Sequence, residues 1–282
     1  MKEIANNIFI EQSYPGVVLS ALKLSHGLLV VDSPFRVDDQ QSWQQKLAHL
    51  GGGIGHLTVM LDTNTDRLYG MQLSEFPVLA QANSFEIIQN LPLNPRIPEM
   101  QARSNSEAYD QSHNVRWRLP DITYSNQVFI HWDDEPVVIT HQPGGHLAGS
   151  WVRYEAEKVI FVGDSVVIEQ PPFLEWCDLD IWMDELTWLS SDQFKDYKII
   201  SGRNGEIQQE SVLRMLDTLT MVKAHMNDLL GMEEPNVEID QMADNLLSAF
   251  NIKRGMTEQY KNRLVWGLKQ FLHQYKTSKA ED

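Results

Sequence analysis

Apolar residues cluster in short, strand-length runs along the first two hundred residues, and at helical spacing after that. Val17 to Leu24 and Leu28 to Val31 flank Ser25-His26-Gly27, the pattern of a β-hairpin that closes on Asp32. A helix is expected from Asp38, because Trp43, Leu47 and Leu50 stand at i, i+4 and i+7 and Gly51-Gly52-Gly53 stops it. His56 to Leu61 reads as a strand, Pro77 to Ala80 as a shorter one, and Ser84 to Gln89 as a short helix. Leu91 to Leu119 holds Pro92, Pro95, Pro98 and a polar stretch, which fits a lid or binding loop and equally a plain surface insertion. A second β-rich half follows, with runs at Val128 to Trp132, Val137 to Thr140, Ser150 to Tyr154 and Val159 to Val162. Asp178 to Leu189 carries Leu179, Trp182, Leu186 and Leu189 at helical spacing, and Tyr197 to Ile200 reads as a last strand. From Gln208 onward the pattern is helical throughout: Val212, Leu216, Leu219, Val222 and Met226 share one face, and Tyr260, Leu264, Leu268 and Leu272 another. The strand–helix alternation occurs twice. The expectation is an α/β (α+β) domain of two similar halves over residues 1–206, with a C-terminal helical extension over 207–282.

The chain has 282 residues, 42% of them hydrophobic, enough for a sizeable core. Its formal net charge of −16 repels phosphate backbones, so nucleic acid is not an expected partner. One cysteine, Cys177, excludes an intramolecular disulfide and fits a reducing compartment. No apolar run approaches the ~20 residues of a membrane helix, and the N-terminus lacks a signal-like apolar core. A soluble, cytoplasmic protein away from membranes is expected.

Four segments end strand-like runs and carry polar residues: Asp62-Thr63-Asn64-Thr65-Asp66-Arg67, Gly144-Gly145-His146-Leu147-Ala148-Gly149, Gly163-Asp164, and Gly202-Arg203-Asn204-Gly205. Their order and spacing resemble the metallo-β-lactamase superfamily, with its His-x-His-x-Asp-His, Gly-His-x-x-Gly, Gly-Asp and Gly-His-Gly segments. The resemblance covers roughly residues 8 to 207, and Tyr260 to Leu272 resembles the C-terminal helix of several hydrolase-like members. It implies a four-layered αββα sandwich whose site lies at the edge between two sheets, where two metals, usually zinc, activate a bridging water. By that resemblance Asp62, Asn64 and His146 stand at the first metal's three histidine positions. Asp66, Arg67 and Arg203 stand where the second takes an aspartate and two histidines, and Asp164 at the bridging aspartate. Asp32 corresponds to a residue that braces the metal-binding loop from outside the ligand shell.

Only His146, Asp66 and Asp164 keep the family's residue type. A guanidinium offers no lone pair and stays charged, so neither Arg67 nor Arg203 can ligate a metal. Asp62, Asp66 and Asp164 carry −3 and the two arginines +2, the charge the second zinc would bring. The expectation is that Arg67 and Arg203 are internal counter-ions of Asp66 and Asp164, since buried carboxylates left alone cost several kcal/mol. No cofactor is expected. The alternative is a single divalent metal (Zn, Mn or Fe) held by Asp62, Asn64, His146 and Asp164, an oxygen-rich set that suits Mn²⁺, Mg²⁺ or Fe²⁺ better than Zn²⁺. Asp62-x-Asn64-x-Asp66 also opens like a calcium loop, but Arg67 and Leu73 stand where that loop needs Gly and Glu. His56 and His141 read as structural, His113 as a solvated loop residue, and Cys177 as buried and inert. Phe173, Trp176, Trp182 and Trp188 read as core.

Two functions remain. The first is a hydrolase-like member with a degenerate metal site that binds a small molecule or protein partner at the old cleft. The alternative is a mononuclear metal-dependent hydrolase of an ester, thioester or similar substrate, with His146, Asp66 and Asp164 catalytic. The helical tail leaves a homodimer open.

Overall fold

The structure, a computed structural model, describes residues 1–51, 53–91, 117–230, 236–252 and 255–281. Among them, seven strands form one sheet in chain order: β1 (Lys2–Ala5), β2 (Ile8–Glu11), β3 (Leu19–Leu24), β4 (Gly27–Val31), β5 (Gly55–Val59), β6 (Val78–Gln81) and β7 (Ile122–Tyr124). The pairs from β1 to β4 are antiparallel and those from β4 to β7 parallel. The second sheet has the order β13 (Gly205–Ile207), β12 (Lys198–Ser201), β11 (Val159–Gly163), β10 (Ser150–Tyr154), β9 (Val137–His141), β8 (Gln127–Ile130). Only its β11–β12 pair is parallel.

The sheets face each other over one apolar layer, in which Leu22, Leu29, Val31, Leu57 and Val59 meet Ile139, Val152, Phe161 and Ile200. On the outer face of the first sheet, α1 (Val37–Leu50) sets Trp43 and Leu47 against Leu19, Ala21, Leu28 and Val30. Beside it, α2 (Thr65–Leu73) and α3 (Ala82–Gln89) cover Met60, Val78 and Ala80. On the other side α4 (Leu179–Leu189), α5 (Gln209–Leu230), α6 (Asn236–Ser248) and α7 (Thr257–Glu281) share a cluster with Trp151, Ile160, Val162 and Ile199. The result is four layers, αββα, with residues beyond 207 supplying most of the last. Strand β4 is buried on both faces, which is why its sequence is unbroken Leu-Leu-Val-Val rather than alternating.

Several expectations need correction. Strands β1, β2 and β7 escaped the pattern, and Tyr197 to Ile200 is not the last strand because β13 follows it. The segment Asp62 to Arg67 runs into a helix, α2, that begins within it at Thr65. Phe173 and Trp182 are buried, whereas Trp176 and Trp188 are each more than a third exposed, so the four aromatics are not one core group. His113 and most of the Leu91–Leu119 segment (92–116) lie outside the described residues.

Candidate functional site

Four strands end at one edge of the sandwich, and each delivers a charged residue there. Strand β4 delivers Asp32, which is fully buried in the left-handed conformation (φ 60°). Its Oδ1 accepts the Leu61 N–H at 3.3 Å, which ties the exits of β4 and β5 together. Strand β5 delivers Asp62, whose Oδ1 accepts the Asn64 N–H at 2.8 Å. That Asx turn starts α2, which carries Asp66 and Arg67 in its first turn. Strand β11 delivers Asp164, and β12 delivers Arg203.

Arg67 lies at the centre with no exposed surface. Its Nε donates to Asp32 Oδ2 at 2.7 Å, Nη1 to Asp62 Oδ2 at 2.8 Å, and Nη2 to Asp164 Oδ1 at 3.1 Å. Nη1 also lies 2.9 Å from Asp164 Oδ2. Arg203 clamps Asp164 from the other side, Nε to Oδ1 at 2.9 Å and Nη2 to Oδ2 at 2.7 Å, and its Nη1 bonds Asp66. Nη1 also donates to the Gly16 carbonyl at 3.2 Å. Asn64 Nδ2 adds a bond to Asp164 Oδ2 at 2.8 Å. Arg67 thus faces Asp32 and Asp62 as well as Asp164, while Asp66 pairs with Arg203. Asp32, placed by the resemblance outside the ligand shell, touches the central guanidinium directly.

The electrostatics follow from this burial. Desolvation pushes the Asp164 carboxyl up, but Arg203 and Arg67 outweigh it and hold it well below the usual carboxylate range. Burial raises Asp32 to about 6 against the pull of Arg67. Burial works against both guanidinium charges, yet the facing carboxylates raise Arg67 and Arg203 above the ordinary arginine value. Burial lowers His146, which keeps its ring neutral. The Ala148 N–H donates to His146 Nδ1 at 3.0 Å, so the ring proton sits on Nε2 and donates to Thr63 Oγ1 at 3.1 Å.

These donors do not fit a metal. Carboxylate oxygens that would ligate a cation accept guanidinium or amide N–H groups instead, and both nitrogens of neutral His146 are engaged. Among the described residues no group of three or more His, Cys, Asp or Glu is arranged to hold a metal ion. Asp62 and Asp164 converge on Arg67, Asn64 bonds Asp164, and His146 joins Asp62 and Asp164 in lining a small adjoining cavity. Two glycines permit the packing. A Cβ at Gly202 would fall inside contact distance of Arg67 Nη2. Gly144 packs against the Trp182 backbone and donates its N–H to Glu185 Oε1 at 3.0 Å. Burial pushes that Glu185 carboxyl up to about 7.

A cleft of about 610 Å³, counted to its open mouth, adjoins the ion cluster. Its floor is Thr63, Asn64, Thr65, Gly145 and His146, and α7 closes one wall with Arg263, Trp266 and Gly267. Arg263 is buried with its guanidinium 4.0 Å from the Phe173 ring centre and 4.9 Å from that of Tyr260. It donates to Gln170 Oε1 at 3.1 Å and to the Pro171 carbonyl, and burial lowers it to about 9, still charged at neutral pH. Sequence reasoning missed Arg263, Thr65 and Glu185. For Arg263 the available signal was a charge one residue before Leu264, on the apolar face of Tyr260, Leu264 and Leu268. The other histidines stay structural: His56 stacks on Phe76 and His141 bonds the Leu147 carbonyl. Cys177 is buried and desolvation raises its thiol, which disfavours a nucleophilic role.

No family model and no curated protein matches the chain. Solved structures do. A metallo-β-lactamase family protein from Thermus thermophilus superposes with a TM-score of 0.62 at 13% identity, over 96% of this chain and 94% of that one. The DIM-1 metallo-β-lactamase gives 0.60 at 13% identity, over 78% and 96% of the two chains. A metallo-β-lactamase from Pontibacter korlensis gives 0.58 at 15%, over 78% and 97%. At such identities the likeness is one of fold.

Proposed function

The chain has the metallo-β-lactamase fold, and we propose that on this scaffold an arginine–aspartate cluster has taken the place of the two-metal centre, leaving a protein that binds a small molecule or partner at the adjoining cleft without metal-dependent hydrolysis. One observation carries the reading. The Arg67 guanidinium fills the space among Asp32, Asp62 and Asp164, with its N–H groups on their oxygens. A dication placed there would face a buried positive charge and carboxylates whose oxygens already accept N–H groups. His146 and Asp66, which a hydrolase would use for binding a metal and orienting water, are bonded to Thr63 and Arg203 instead. Without a metal or a free base, nothing in the cluster activates a water.

The test is elemental analysis of protein purified without chelator, paired with turnover of activated esters and thioesters. The expectation is well below one transition metal per chain, and no turnover beyond that of His146→Ala. Near-stoichiometric metal, or turnover that disappears in His146→Ala, overturns the proposal. A quadruple variant, Asp62→His, Asn64→His, Arg67→His and Arg203→His, is expected to take up zinc. If the wild type takes up as much, the arginines are not what excludes it.

A further inference from the structure

Each sheet ends in two edge strands, and an edge presents N–H and C=O groups to any chain able to pair with them. Three of the four edges here are protected. Strand β1 carries Lys2 and Glu3 and a register shift between Glu3 and Ala5. Strand β13 carries Glu206, which Lys2 meets at 3.8 Å. Strand β7 has three residues and starts beside the Arg118–Asp121 ion pair. The fourth edge, β8, has no such device. Residues 122–132 contain no Asp, Glu, Lys, Arg or Pro, in a chain of which 22% is charged. The register of β8 with β9 runs without a shift from Gln127–Thr140 to Ile130–Val137.

The Asn126 carbonyl accepts the His141 N–H at 2.8 Å. Bonded and unbonded residues alternate in an antiparallel ladder, so Asn126, Val128 and Ile130 point their backbone groups at β9, and Gln127, Phe129 and His131 point theirs outward. Among the described residues no strand pairs with that side. Val128 and Ile130 pack inward on the layer between the sheets. Phe129 projects from the opposite face, 46% exposed and stacked on His131. The helices on that face share a cluster with Trp151 and Ile160 but with no residue of β8. Ile122 of β7, which joins β8 through Ser125 and Asn126, is 48% exposed at the same end of the sandwich.

Charge selects the occupant. A formal −16 on each chain sets two copies against one another, and β8 is an edge where they meet without opposing charges. In the antiparallel register that sets Phe129 opposite itself, Gln127 faces His131. The acids Asp133 and Asp134 then face Ser125 and Tyr124 rather than other acids. A two-fold axis through the Phe129 pair makes the contact the same on both chains and closes it. We propose that β8 is a self-association edge, on which a second copy of this chain pairs antiparallel with Phe129 against Phe129, joining two six-stranded sheets into one.

Sedimentation velocity of the full chain over about 1–300 µM reads the association. The expected Kd is about 10–100 µM, because an edge of this length buries less than the ~1,200 Å² of a standard interface. Raising salt from about 0.05 to 0.5 M is expected to tighten it, since screening weakens the repulsion between two acidic chains. Phe129→Lys and Phe129→Glu each set like charges opposite one another and are expected to weaken association at least about tenfold. Mixed in equal amounts, the two variants bring opposite charges together and are expected to associate more tightly than either alone. Phe129 is half exposed, so neither change is expected to move Tm. Should one of them do so, the mixture still decides, because recovery requires the two side chains to meet. A chain that stays monomeric throughout, association that salt weakens, a dimer unaffected by Phe129→Lys, or a mixture no tighter than its parts overturns the proposal. The first outcome excludes a second copy at this edge in favour of a foreign strand, and the third assigns the dimer to another surface, such as α7.

Discussion

Replacing Arg67 by methionine keeps an unbranched stem of similar length and removes the guanidinium. Asp32 and Asp62 then lose the cation that faces them at 2.7 and 2.8 Å, while Asp164 keeps Arg203. Summing the hydrogen bonds at ~1.5–3 kcal/mol each would overstate the loss, because burying Arg67 had its own desolvation penalty. Breaking one buried pair costs about 3–5 kcal/mol. Proton uptake caps the penalty: neutralising a carboxyl of ordinary pKa at about pH 7.5 costs ~5 kcal/mol, so each orphan protonates rather than exceed that. The expected loss is therefore about 3–5 kcal/mol near pH 7.5, against a total of ~5–15 for a typical domain. The sign with pH follows. In the variant the orphaned carboxyls titrate above their unfolded value, so the folded state holds the extra proton and the deficit shrinks on acidification. One proton taken up recovers ~1.4 kcal/mol per pH unit, or about 3 kcal/mol between about pH 7.5 and 5.5. Urea unfolding followed by circular dichroism at the two pH values measures both quantities, with Arg67→Lys as the variant that retains charge but not the fork. A loss under ~1 kcal/mol near neutrality, or a deficit that does not shrink with acid, would refute the view that Arg67 is the counter-ion of these carboxylates.

Three further outcomes follow from the same geometry. Gly202→Ala drives a methyl into a guanidinium clamped by three carboxylates and is expected to destabilise by about 1–3 kcal/mol, read as a lower urea midpoint at unchanged slope. Asp32 titrates near 6, above its unfolded value, so its contribution is fullest below the ordinary carboxylate range and is lost as pH rises through 6; Asp32→Asn, which tolerates the left-handed backbone, removes that slope. Glu185, raised to about 7, likewise gives stability that falls between the ordinary glutamate range and neutrality, and Glu185→Gln is expected to flatten thermal-shift profiles there while wild type keeps its decline.

What the sequence made legible is what local pattern controls. The β3–β4 hairpin shows because its apolar runs flank one turn, and α1 because Trp43 and Leu47 fall on one face before a glycine stop. A guanidinium gathered among carboxylates has few roles open to it other than pairing with them. Hidden were short edge elements, such as the three-residue β13, and α2, whose start is set by the Asp62 turn rather than by an apolar stripe. Which carboxylate each arginine meets was also hidden. Asp32 reaches Arg67 only because β4 and β5 lie parallel and end together, a tertiary fact that the intervening residues do not announce. The cleft was least visible, since its walls come from α2, the Gly144–His146 turn and a helix nearly two hundred residues further on.

The ion cluster and the cleft therefore bear on different questions. Four aspartates gathered at one edge cannot remain buried without a cation, whatever the chain does. Arg67 and Arg203 meet that requirement, so fold stability alone is enough to retain them. The same requirement does not account for the adjoining cleft, whose lining includes both Arg263 and Glu175. On the function proposed above, a ligand is to be sought in the cleft beside the cluster and not at the aspartates that the arginines hold.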